Sequence, residues 1–154
     1  MQPNPTTGGY AELLQNQELF SSGSQLTITA AGARVPGFTA QVIAPAAATL
    51  TAPVCSGMDC GSISKAAGLS VAWTGGTGTM AIQVAPPSSG LDVVCRFPAA
   101  SGAGTIPAAA LATLPLGPTQ FLVTTQNETM VQAGPFPVTV VAMSTSILAA
   151  TLQP

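Results

Sequence analysis

The chain has 154 residues, of which only three are basic and five acidic; that is 5% charged, against about 25% in an ordinary soluble domain. It has no histidine and a formal net charge of −2. Three cations make no footprint for nucleic acid or for an anionic membrane. Without imidazole there is no histidine base, metal ligand or pH switch.

A hydrophobic fraction of 47% with little net charge lies outside the regime of classical disorder. The length suits one domain, or one domain plus an appendage. No apolar run approaches the roughly 18 residues of a membrane-spanning helix. One Trp, one Tyr and five Phe are too few for the aromatic girdles of a membrane barrel. Membrane insertion is therefore not expected. Met1 is followed by Gln2-Pro3-Asn4-Pro5, with no basic or apolar leader, so no signal peptide is read at this end.

Residues 1–23 read as an extended arm, with a possible short helix over Tyr10–Phe20, where Tyr10, Leu13 and Leu14 share helical spacing. From Ser24 the period becomes two. Leu26, Ile28 and Ala30 form one run and Phe38, Ala40 and Val42 a second, so 24–45 is expected to be a strand pair. A short strand is expected at Ala48–Ala52, then a loop from Val54 to Ser64. The clearest strand follows, with Leu69, Val71 and Trp73 on one face. Gly75-Gly76-Thr77-Gly78 turns the chain, and Met80, Ile82 and Val84 return. Val93, Cys95 and Phe97 alternate next and stop at Pro98. Pro107 before Ala108-Ala109-Ala110-Leu111 is a good short-helix start. Phe121, Val123 and Thr125 make another strand. Asn127-Glu128 is read as a turn, and Val138, Val140 and Ala142 as the last regular strand before a tail over 146–154.

Short alternating strands punctuated by Gly and Pro are the pattern of an antiparallel sandwich. The expected fold is all-β: an immunoglobulin-like antiparallel β-sandwich over 46–145, with an N-terminal extension of extra strands and one short helix. Trp73, Cys95, Phe97 and Phe121 are its expected core.

Trp73-Thr74-Gly75-Gly76, then Cys95-Arg96-Phe97-Pro98, then Ile106-Pro107 with Leu111, Leu114, Pro115 and Gly117 form a set. It resembles a group of uncharacterised secreted β-domains of the myxobacterial and acidobacterial type. The resemblance covers roughly 24–141. It implies an exported, immunoglobulin-like domain without catalysis, and it brings no catalytic residue. Such domains usually end a longer exported precursor, whereas here only a short arm precedes the domain.

Cys55 and Cys60 stand five apart in a Gly/Ser loop. A metal site needs about four ligands, and no histidine is present. A local disulfide is the preferred reading; free thiols, or a bond from Cys95 to either, stay open. Asp59 and Asp92 are too few for calcium and read as loop acids. Ser62-x-x-Lys65 matches a serine/lysine spacing but precedes a strand, not a helix, so no catalytic site is expected. Asn127-Glu128-Thr129 is a formal glycan acceptor and otherwise a plain turn. Thr-rich faces such as Thr27/Thr29 are ordinary outward β-formers.

No catalytic residue, metal or cofactor is expected. Almost every charge falls in a loop or arm, so the sandwich faces lose little by burial against copies of themselves. The expectation is a non-enzymatic extracellular or cell-surface structural protein, self-assembling into a filament, sheath or surface layer as a homo-oligomer or polymer. The arm, or the tail carrying Ile147, Leu148 and Leu152, is the candidate assembly strand. Two alternatives stand beside it: a surface-adhesion module with polysaccharide as a possible partner, and a viral decoration or tail protein.

Overall fold

The computed structural model describes residues 20–154, and the arm and helix expected over 1–19 lie outside that range. The described chain is built almost wholly of strands, in the order β1 (Gln25–Gly32), β2 (Pro36–Ile43), β3 (Ala48–Ala52), β4 (Asp59–Ser64), β5 (Leu69–Gly75), β6 (Thr79–Ala85), β7 (Val93–Pro98), β8 (Ala103–Ile106), β9 (Gly117–Ala133) and β10 (Phe136–Gln153). The helix expected after Pro107 is a single turn, α1 (Ala108–Leu111), and a 3₁₀ turn covers Ala99–Ser101. Pro107 caps the α1 turn at φ −63°, the value its ring imposes.

The strands form three sheets. A five-stranded sheet runs β4-β10-β9-β6-β7, a three-stranded sheet β3-β5-β8, and β1 and β2 make a separate hairpin. All pairings are antiparallel except β4 with β10. Period-two alternation decides what lies between the sheets. Val71 and Trp73 from β5 and Ile106 from β8 meet Met80, Ile82 and Val84 from β6, Phe121 and Val123 from β9, and Leu152 from β10. Each full burial of such a side chain stabilises by roughly 1.5–3 kcal/mol.

The β9–β10 ribbon is longer than the sandwich. β6 covers β9 only as far as Gln126, and β4 covers β10 only from Ala149. The remainder projects beyond, and β2 lies against its inner side. Buried alanines (Ala40, Ala44, Ala133, Ala142) allow this close approach. A Cβ built on Gly134, at the ribbon tip, would stand 2.9 Å from Cγ of Pro36.

The structure departs from the sequence reading at four places. The loop expected through Ser64 contains β4, whose Gly61 at φ +67° interrupts any alternation. The Gly-rich lead to Pro107 contains β8. Asn127-Glu128 is not a turn but the middle of β9, with Glu128 paired to Val141. The tail expected over 146–154 is the end of β10, paired to β9 on one side and to β4 on the other.

Candidate functional site

The C-terminal residues expected to reach a neighbour occupy three different environments. Leu152 is buried at 1% exposure in this chain's own core, Leu148 packs partly against that core, and Ile147 points outward at 57%. Alternation along the strand separates them; β9 pairs with all three and β4 also holds the end from Ala149, so the segment is not free to leave as a donor strand.

Cys55 and Cys60 are joined in a disulfide that closes the approach to β4. Cys60 is buried, so the bond ties this loop to the sandwich core. Cys95 is a free, partly buried thiol on the inner side of β7, and burial pushes its pKa above the ordinary value. Raised in this way, it stays a neutral thiol rather than a nucleophilic thiolate.

Trp73 sits at 3% exposure and donates its indole N–H to Ala99 O at 2.8 Å, satisfying its one polar atom in the core. The Phe97 ring lies 5.8 Å from it, tilted by 41°. Phe97 comes from one sheet and closes over Gly104 of the other, where no side chain stands in its way.

The charged candidates are spread apart and engaged locally. Asp59 Oδ1 accepts the Gly61 amide at 2.8 Å, while Asp92 Oδ2 accepts Gln83 Nε2 at 2.9 Å. Among the described residues no group of three His, Cys, Asp or Glu is placed to hold a metal. Lys65 Nζ donates to Leu114 O, and its amide to Gln153 O at 2.9 Å. The ammonium is therefore turned to a main-chain carbonyl. It borders an open depression of about 520 Å³ lined by Ala108, Ala112, Leu116 and Pro154.

A second depression, of about 560 Å³, lies where the β1–β2 hairpin meets the sandwich. Sequence reasoning missed the joint at its rim. Asn127 Nδ2 donates to Ile43 O at 2.9 Å, and Thr125 Oγ1 to Ala46 O at 2.7 Å. The Ala46 amide donates to Thr77 Oγ1 at 3.0 Å. Three side chains thus clamp the end of β2 and the linker to β3. The amide of the formal glycan acceptor is already bonded to main chain. Among the described residues no buried side-chain polar atom lacks a partner.

The five-stranded sheet presents a broad outer face to solvent. Its outward positions include Ala81, Gln83, Leu122, Thr124, Met143 and Ile147, without charge through the centre. Asp59 on β4, Arg96 on β7 and Glu128 on the projecting ribbon stand at its borders. Met143 and Ile147 are 56% and 57% exposed. No described helix is long and apolar enough to cross a membrane. Comparison with protein-family models, curated proteins and solved structures gives no match for this chain.

Proposed function

We propose that this chain is a non-enzymatic extracellular or cell-surface structural protein, an immunoglobulin-like domain that assembles with copies of itself. The observation that carries the reading is the broad outer sheet face without a central charge. Burying such a face desolvates no ion, whereas burying an unpaired charge is costly. The Cys55–Cys60 disulfide supports an oxidising compartment.

The strand order supports the immunoglobulin-like assignment. Two sheets of different size share one core, with the N-terminal edge split between them: β3 pairs in the smaller sheet, and β4 crosses to pair in parallel with the last strand of the larger. The resemblance of the Trp73-to-Gly117 motifs to secreted β-domains points the same way. A polysaccharide platform is less well supported. It uses several exposed aromatic rings; among the described residues Trp73 and Phe121 are core, Phe97 packs against that core, and Phe136 alone is exposed, at the ribbon tip.

The test is negative-stain microscopy and sedimentation of the purified chain over a range of concentration and salt. Assembly is expected, with little dependence on ionic strength because there is little charge to screen. A chain that stays monomeric under all conditions rules the reading out.

A further inference from the structure

The free edge of β10 is the longest unpaired edge in the described fold. β9 pairs with β10 along its whole length, but β4 occupies the other side only at residues 149–153. Residues 136–148 are thus unpaired on that side, thirteen residues or about 44 Å of strand. Proteins usually blunt such an edge with lysine, proline, a bulge or a covering element. This segment contains no charged residue and one proline, Pro137, near its end. The other edges of the sandwich are shorter: the stretch of β9 beyond Gln126, which carries Glu128, six residues in β7, which carries Arg96, six in β4, five in β3 and four in β8.

The main chain also faces the right way. The Ala149 amide donates outward to Met58 O, and Gln153 O accepts outward from the Lys65 amide. Main-chain groups alternate sides along a strand, and the β9–β10 register runs without a break. The odd-numbered residues therefore present their N–H and C=O groups to the free side, at Thr139, Val141, Met143, Thr145 and Ile147.

We propose that two copies of this chain pair antiparallel through this edge, about a two-fold axis at Ala142. The proposal rests on the self-assembly reading above and names the surface it uses. The register follows from the fold. β4 ends the free segment at one side and the ribbon tip ends it at the other, and Ala142 is the midpoint of 136–148. An isologous pair centred there sets Val141 opposite Met143, Thr139 opposite Thr145 and Pro137 opposite Ile147 on the outer face. Val141 on Met143 is apolar on apolar and Thr139 on Thr145 is threonine on threonine, pairs that favour an antiparallel sheet, while Pro137, which has no N–H to give, ends the ladder at either side. The two outer faces become one surface with no charge on the paired strands themselves; the nearest charges are the two Glu128 carboxylates, one strand back from the seam beside Val141.

An edge about 44 Å long and about 10 Å deep buries about 900 Å² over both partners, below the 1,200–2,000 Å² of stable complexes. The pairing is therefore concentration-dependent. The experiment is sedimentation velocity across a concentration series, on the wild type and two lysine variants. Met143 is exposed, so Met143→Lys leaves the monomer intact but sets two like charges roughly 7 Å apart across the axis. A loss of association of tenfold or more is expected. Met130→Lys places the same charge at a 72% exposed position on β9, away from the edge, and is expected to associate as the wild type does. Amide exchange on the wild type gives a readout that needs no variant. Thr139, Val141, Met143, Thr145 and Ile147 are expected to gain protection as concentration rises. If the wild type associates but Met143→Lys does so equally, or those amides gain no protection, the β10 edge is overturned while self-assembly stands. An equal loss in both variants overturns it too. A wild type that never associates removes both readings.

Discussion

Replacing Gly104 with alanine tests the way the two sheets close on each other. Gly104 lies in β8, and the Phe97 ring from the opposite sheet rests on it. A Cβ there would stand 2.5 Å from Phe97 Cε1 and 2.7 Å from both Cδ1 and Cζ. Ordinary carbon contacts are about 3.5–4.0 Å, so the ring must retreat by about 1 Å. It has little room, because Trp73 sits 5.8 Å away and is held by its bond to Ala99 O. Two effects oppose each other. Alanine restricts the unfolded chain and so stabilises by about 0.4–1 kcal/mol where the backbone suits it. Overpacking a filled site costs about 1–3 kcal/mol. Overpacking wins, for a net loss of about 1–2 kcal/mol, which lowers Tm by about 2–8 °C in a domain of this size. Thermal unfolding by circular dichroism measures it, with the emission of the single Trp73 reporting the moved ring. Phe97→Leu shrinks the obstacle, so the double variant is expected to lose less than the sum of the single losses, by about 1 kcal/mol. Gly104→Ala melting at or above the wild type, or strict additivity in that cycle, would refute the reasoning.

Two further predictions concern the joint and the loop. Thr125→Val keeps the shape of a side chain that is 1% exposed but leaves Ala46 O without its donor; a loss of about 1–3 kcal/mol is expected in denaturant titration, with the midpoint shifted at constant slope. Replacing both Cys55 and Cys60 with serine opens a loop with a sequence separation of 5, for which chain entropy gives a loss of about 2 kcal/mol. Reduction of the wild type is expected to lower Tm by the same amount as the double substitution.

The sites legible in the sequence were those that depend on neighbours along the chain. The Cys55–Cys60 pairing was one, because two cysteines in a short flexible loop meet at little entropic cost. The cores of β5 and β6 were another, because strict alternation puts Val71, Trp73, Met80 and Ile82 inside whatever sheet they join. The clamp on the β2–β3 linker was not legible. Thr125 and Ala46 are 79 residues apart, and a threonine buried for its hydroxyl looks in sequence like any other β-former.

By itself the sequence determined the all-β character, the inward set of the regular strands, a short helical segment after Pro107 and the scarcity of charge. All of these follow from side-chain periodicity, backbone preference and composition, which are local or additive. Only the tertiary structure decided that β4 and β8 are strands, that Asn127-Glu128 continues β9, and that the expected tail is the end of a strand of 18 residues. Those outcomes depend on main-chain hydrogen bonds, which every residue but proline offers alike and which a distant partner must complete. Where the partner stops short, as β4 does at Ala149, an unpaired edge remains.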